Sequence, residues 1–577
     1  MTRTVDSGVP FRPYLPGAVP WPKTDAARWR AAGYWSGQTF TDLLVAQAAD
    51  RGPAVAVVEG PRRTTYAELL GRSQTLARGL RELGIRRQDR VVVQLGNVTE
   101  FFEVCFALYA IGAVPVFALP AHRGYEIGHL LNQSGARGYV LAQRHGRDDL
   151  RELGAAMLRD LPRLEHVIVH GDRGEYAGLR ELADCYPAGA VPNGAVPNGA
   201  VPNGAVPNGE FPRPDEVAFL QLSGGSTGMP KLIPRTHDEY LYTLRESARI
   251  CGLTASSVYL AVLPIAHNYP MSSPGCFGIF AAGGRVVLAA DGDPAAAAEL
   301  IDREGVTIVA LVPPLALMWA DALSGRDLAP LSVVQVGGAP FPPSAARRVV
   351  QALPGVTLQQ VFGMAEGLVC YTRLDDPLEV ILGCQGQPIS VDDELLVVDE
   401  DDRPVPPGGT GHLLTRGPYT IRGYYAVGAD AIAHNAVAFT PDGHYRTGDL
   451  VSVDEHRRVR VMGRAKDQIN RGGEKVAVDE VEDHLLTHPD IHDASVVAIP
   501  DDLLGERSCA VLVTRDHVPL RRRDVVAHLT ARGVAAFKFP DRVLVVEAFP
   551  ETGVGKTSKR DLRAALRRNL LDPERTS

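Results

Sequence analysis

Short apolar runs rich in β-branched residues recur through this chain, and between them lie longer stretches with helical periodicity. "RVVVQLG", "GYVLAQ", "HVIVHG", "RVVLAA", "VTIVALV" and "SVVQVGG" are of the first kind, and "TYAELLGRSQTLARGLRELG" is of the second. Near-continuous apolar strands separated by amphipathic helices are what a parallel sheet covered by helices requires, because such strands are buried on both faces. The pattern therefore predicts an α/β fold of parallel and mixed sheets layered with helices. Several of the strands end in glycine or a turn, the place where open α/β sheets hold ligands.

A chain of 577 residues exceeds one hydrophobic core and should divide into roughly two to four units. The break is expected near "GRAKDQINRGGEKV", a polar, glycine-punctuated stretch between strand-like "RRVRVMG" and helix-like "VDEVEDHLLTHP". Residues 1–463 then form a large domain, and 464–577 a small α+β domain built from "DASVVAIPD", "RRRDVVAHLTARG", "RSCAVLVTR" and "DRVLVVEAF". A pentapeptide written four times, "AVPNGAVPNGAVPNGAVPNG" at 190–209, reads as an exposed loop, since Pro-Asn-Gly favours turns and four valines cannot build a core.

With 60 Lys and Arg against 68 Asp and Glu, the net charge of −8 argues against a general nucleic-acid binder. The seven cysteines are scattered with no C-x-x-C pair, as in a reduced, cytoplasmic protein. No apolar run of about 18 residues is present, so neither a membrane span nor export is expected.

"SGGSTGMPK", Ser223 to Lys231, follows the apolar run "EVAFLQL" and sets small hydrogen-bonding residues beside one cation. Backbone N–H groups freed by glycine, hydroxyls and a lysine suit an anion such as phosphate. The spacing is not that of a P-loop, because Met229 and Pro230 separate Gly228 from Lys231. On its own the loop is equally a flexible turn.

Its company decides. In order the chain shows "TTYAEL", "LSGGSTGMPKLIPRTH", "LPIAHNYPMSSPG", "QVGGAP", "QQVFGMAEG", "GHLLTRGPYTIRGYY", "YRTGDL", "GRAKDQINRGGEKV" and "TGVGKTSK". From about Phe11 to Leu571, with the repeat as the main interruption, it resembles the adenylate-forming enzymes, and within them the aryl-acid AMP ligases of siderophore biosynthesis. The resemblance implies that an aryl carboxylate attacks the α-phosphorus of ATP, pyrophosphate leaves, and the acyl-adenylate passes to the phosphopantetheine thiol of a separate aryl carrier protein. A benzoic acid is already ionised at neutral pH, so positioning and charge neutralisation carry such a reaction.

The resemblance also implies roles, residue by residue. Ser223, Gly224, Gly225, Ser226, Thr227, Gly228 and Lys231 wrap the β- and γ-phosphates. Glu366 helps to hold Mg²⁺, and Gly363, Met364 and Ala365 of the same motif face the nucleotide. Gly338, Ala339 and Pro340 form the adenine wall, Asp449 accepts from the ribose hydroxyls, and Arg464 contacts the nucleotide. Lys556 stands beside the α-phosphate and the substrate carboxylate, and Lys466 is the hinge about which the small domain swings. His267 is a further catalytic candidate and lines the pocket and its approach with Tyr269, while Asn268 bonds the carboxylate side and the ortho hydroxyl of the ring. Gly337, Ser273 and Val369 complete the acid pocket, where serine and valine favour 2,3-dihydroxybenzoate and cysteine and leucine favour salicylate. Salicylate is the runner-up substrate, and an aryl-CoA ligase is the more distant alternative. Cys370 departs from the asparagine expected beside Val369, and "YAVGADAIAHNAVAF" is longer than the pattern.

Overall fold

A computed structural model describes residues 14–187, 212–223, 230–339, 341–426, 435–464, 467–471, 474–501, 505–532, 534, 536–550 and 557–567. The repeat at 190–209 lies outside them, as do residues 427–434 of the stretch 425–439 expected to be longer than the pattern.

The apolar runs form strands of two helix-covered sheets. Arg90–Gln94, Gly138–Ala142 and His166–His170 pair in parallel within a seven-stranded sheet. Arg285–Leu288, Ile308–Leu311 and Val333–Gly337 belong to a nine-stranded sheet, parallel at its centre and closed at each end by an antiparallel strand. Their valines and isoleucines are almost wholly buried, as strands covered on both faces demand. The stretch read as helical spans Tyr66–Glu82, and it starts where Thr65 and Glu68 form a capping box.

Beyond these sheets the strands Glu394–Val398, Thr410–Arg416, Tyr445–Val453 and Val459–Arg464 form a four-stranded antiparallel sheet. A five-stranded sheet follows, centred on the long hairpin Ile491–Asp501 and Gly505–Thr514, with Arg542–Val546 added in parallel. The polar stretch at the expected domain break contributes to this sheet: Ile469–Arg471 pairs antiparallel with Glu474–Val476. Burial of Ile469 and Val476, both fully inaccessible, outweighs the glycines between them. The helix Val478–Leu486 and the last described helix, Lys559–Arg567, pack on this sheet.

All seven cysteines are buried and unbridged. Among the described residues no helix is long and apolar enough to cross a membrane.

Candidate active site

The strand Val217–Leu222 runs into Ser223, and the chain returns through Lys231 into the antiparallel strand Leu232–Thr236. Ser223 and Lys231 close the base of the loop between them: the Ser223 N–H donates to the Lys231 carbonyl and the Lys231 N–H donates to Ser223 Oγ, each at 3.0 Å. Gly224, Gly225, Ser226, Thr227 and Gly228 lie outside the described residues.

The closure delivers the Lys231 ammonium to 4.6 Å from the centroid of the Tyr424 ring. The Tyr424 hydroxyl donates to Glu366 Oε1 at 2.8 Å and lies 3.1 Å from the hydroxyl of Tyr445. Glu366 is 5% exposed. Partial burial lowers the Lys231 pKa and the Glu366 carboxylate opposes that fall. Burial first, and then Glu366, push Tyr424 far above the ordinary tyrosine range, so it stays a donor. A cation, a carboxylate and two phenols thus meet in one partly dry place, where charges act strongly.

The segment carrying Glu366 is braced from behind. Arg235, fully buried on the strand Leu232–Thr236, donates through Nε and Nη2 to Glu239 at 2.9 and 2.6 Å. Its Nη1 donates to the Ala365 carbonyl and its Nη2 to the Tyr419 carbonyl. Glu239 also caps the helix His237–Ile250 by accepting from the Thr236 N–H at 2.8 Å. Sequence reading gave Arg235, Glu239 and Tyr424 no role. The visible signal was a charged residue inside an apolar strand, "KLIPRT", which burial makes costly unless it is paired.

Asp449 sits on the strand Tyr445–Val453, opposite Arg464 of Val459–Arg464 in register. Arg464 Nε lies 2.6 Å from Asp449 Oδ1, so these two expected nucleotide contacts are joined. Gly337 ends its strand and Gly338 follows with φ +83°, the left-handed region that glycine adopts freely. Ala339 is half-buried beside it, and Pro340 lies outside the described residues.

The acid-pocket candidates come from separate elements. His267 caps the short helix Asn268–Ser272, its Nδ1 accepting from the Tyr269 N–H at 3.2 Å. Asn268 Oδ1 accepts from the Tyr240 hydroxyl at 2.7 Å. A methyl group on Gly337 would sit 3.3 Å from Tyr269 Cζ and 2.6 Å from the Val361 carbonyl, so that strand and Tyr269 meet only because residue 337 has no side chain. Gly363 faces Val369 across an antiparallel pair, Met364 follows half-buried, and Ser273 lies beside the Tyr371 hydroxyl on the same strand as Val369. Cys370 does not belong to the pocket. Strand alternation turns it to the other face, into an apolar cluster with Leu368, Leu413, Val451 and Val459. Lys466 and Lys556 lie outside the described residues, although the Ser558 N–H donates to the Pro550 carbonyl at 2.7 Å across the base of the Lys556 segment.

The profile of the AMP-binding enzyme matches residues 44–425, and that of the AMP-binding enzyme C-terminal domain matches residues 480–556. The chain belongs to the AMP-binding enzyme family. This AMP-binding enzyme is 53% identical over 560 residues to a 2,3-dihydroxybenzoate-AMP ligase of Bacillus subtilis, covering 96% of this chain and 99% of that one. It is 43% identical over 555 residues to a salicyl-AMP ligase / salicyl-S-ArCP synthetase of Mycobacterium tuberculosis, covering 95% and 94%. Among solved structures it is similar to apo MbtA of Mycobacterium smegmatis, with a TM-score of 0.71, 43% identity, and 95% and 99% of the two chains covered.

Proposed function

We propose that this enzyme activates 2,3-dihydroxybenzoate. A carboxylate oxygen of the acid attacks the α-phosphorus of ATP, the bond to the bridging oxygen of pyrophosphate breaks, and an aryl-AMP mixed anhydride forms. The phosphopantetheine thiolate of an aryl carrier protein then attacks the acyl carbon and AMP departs. The observation that carries the reading is the meeting of Lys231, Tyr424 and Glu366 at the mouth of the Ser223–Lys231 loop. Fixed positive and dipolar groups there meet the need of a reaction between two anions.

Lys231 and the loop before it hold the β- and γ-phosphates. Gly338, Ala339 and Pro340, with Gly363, Met364 and Ala365, flank the adenosine. Asp449 receives the ribose hydroxyls, and Arg464 keeps its carboxylate in place. Among the described residues no group of three or more His, Cys, Asp or Glu could hold a metal ion. Glu366 nonetheless fits Mg²⁺, which takes one or two carboxylates and completes its shell with phosphate oxygens and water. When bound, the ion would neutralise phosphate charge. Lys556 stabilises the charge that grows on the α-phosphate. Lys466 is the hinge between a domain of residues 1–463 and one of residues 464–577, and motion there withdraws Lys556 so that the carrier thiol enters.

Ser273 and Val369 favour the dihydroxy acid over salicylate, a discrimination of about 1–3 kcal/mol for one pocket group. ATP–pyrophosphate exchange with each acid tests this: a higher kcat/KM for 2,3-dihydroxybenzoate is expected, and a clear salicylate preference contradicts it.

A further inference from the structure

Tyr240, on the helix His237–Ile250, lies outside every motif residue considered above and yet reaches into the acid site. Its hydroxyl donates to Asn268 Oδ1 at 2.7 Å. A primary amide has one acceptor end and one donor end. The Tyr240 bond orients the amide, turning Oδ1 to the tyrosine and leaving Nδ2, a donor, on the other side.

Tyr240 is held against rotation. It is 1% exposed, its ring packs at 88° against Phe219 with centroids 4.7 Å apart, and the Arg235 guanidinium carbon lies 4.7 Å from its centroid. Arg235 is itself fixed by Glu239 and by the Ala365 and Tyr419 carbonyls. Burial pushes the Tyr240 hydroxyl far above the ordinary tyrosine range, so it keeps its proton at working pH. One buried arginine therefore braces both the backbone beside Glu366 and the tyrosine behind Asn268.

We propose that Tyr240, braced by Arg235, is a positioning residue that fixes Asn268 as a hydrogen-bond donor, and thereby makes the pocket select ring acids with an oxygen acceptor ortho to the carboxylate. The inference rests on Asn268 being an acid contact, as in the function proposed above. Without the Tyr240 hydroxyl the amide can turn over, presenting its oxygen to an anionic ligand for part of the time.

Exchange kinetics of the full-length enzyme test this. In Tyr240→Phe the KM for 2,3-dihydroxybenzoate should rise about fivefold, the worth of one net hydrogen bond, while the KM for ATP stays within about twofold. The preference for salicylate over unsubstituted benzoate should narrow by a similar factor, a change that general loosening of the fold would not produce. In an Asn268→Ala background Tyr240→Phe should change neither quantity further. Asn268→Asp keeps an acceptor for Tyr240 and removes the donor, so it should lose acid affinity at least as far as Asn268→Ala while still binding ATP. A Tyr240→Phe enzyme with unchanged acid KM and unchanged selectivity overturns the inference alone, as does an Asn268→Asp enzyme that binds the acid like wild type. A wild-type enzyme that adenylates no ring acid overturns this inference and the proposed function together.

Discussion

Glu366 shows how little of a site one residue carries by itself. Its carboxylate is nearly inaccessible, accepts from Tyr424 and faces Lys231, and the backbone before it is tied down by Arg235. Glu366→Gln keeps an acceptor for Tyr424 and removes the negative charge that a hard cation seeks. The variant should fold normally and need at least about tenfold more Mg²⁺ for half-maximal exchange, since a charged ligand is worth more than a neutral one. An unchanged magnesium titration would rule the role out. The resemblance marked Glu366, whereas Arg235 showed only as a charge inside an apolar strand and Tyr424 not at all, because their meaning lies in contacts across 130 and 58 positions of sequence.

Elements place these residues through close approach. The strand Val333–Gly337 and the turn into the helix Asn268–Ser272 touch where residue 337 lacks a Cβ, and Gly363 opposes Val369 for a similar reason: a methyl there would meet the Leu368 carbonyl at 2.7 Å. Gly337→Ala must move Tyr269 or Val361, overpacking that costs about 1–3 kcal/mol. We expect a lower melting temperature and an acid KM raised several-fold more than the ATP KM; equal effects on both would contradict a place in the acid pocket. At this scale much was readable from sequence. β-branched runs marked the strands, and helical periodicity marked the helix Tyr66–Glu82, because both signals are local. The hairpin Ile469–Val476 was not readable, since the burial that stabilises it comes from a sheet formed by residues further along the chain. The place of Cys370 was implicit in strand alternation: Val369 and Cys370 are neighbours in sequence and occupy opposite faces.

For the molecule as a whole, Asp393 sets a pH dependence. It accepts from the Tyr419 hydroxyl at 2.7 Å, and the Tyr419 oxygen accepts in turn from the Val369 N–H, so the group backs the pocket. Burial pushes Asp393 up to about 7, against the pull of the Tyr419 hydroxyl and the Ser390 N–H. The native state therefore keeps a proton there that the unfolded chain has lost above about 3.9. The stabilising contribution is complete below that lower value and falls as pH rises to about 7. Between pH 5 and 7 the loss is up to about 3 kcal/mol. Asp393→Asn has no proton to lose, and its stability, followed by denaturant unfolding, should decline less than that of wild type over this range. An equally steep decline would contradict the assignment. The five-stranded sheet domain meets the large part through partly exposed groups: Asp321 lies 3.1 Å from Arg515 and 3.0 Å from His492, and the Ser344 N–H donates to Asp483 at 3.1 Å. Exposed ion pairs of this kind contribute about 0–1 kcal/mol each.

The decisive property of these groups is whether they bring a ring carboxylate to the α-phosphorus of ATP. Wild-type enzyme with Mg²⁺, ATP and 2,3-dihydroxybenzoate, quenched and analysed by mass spectrometry, should yield aryl-AMP and pyrophosphate in equal amounts. Lys556→Ala should bind ATP and form the anhydride at least about a hundredfold more slowly. No aryl-AMP from the wild type, or an undiminished rate from the variant, would contradict the account.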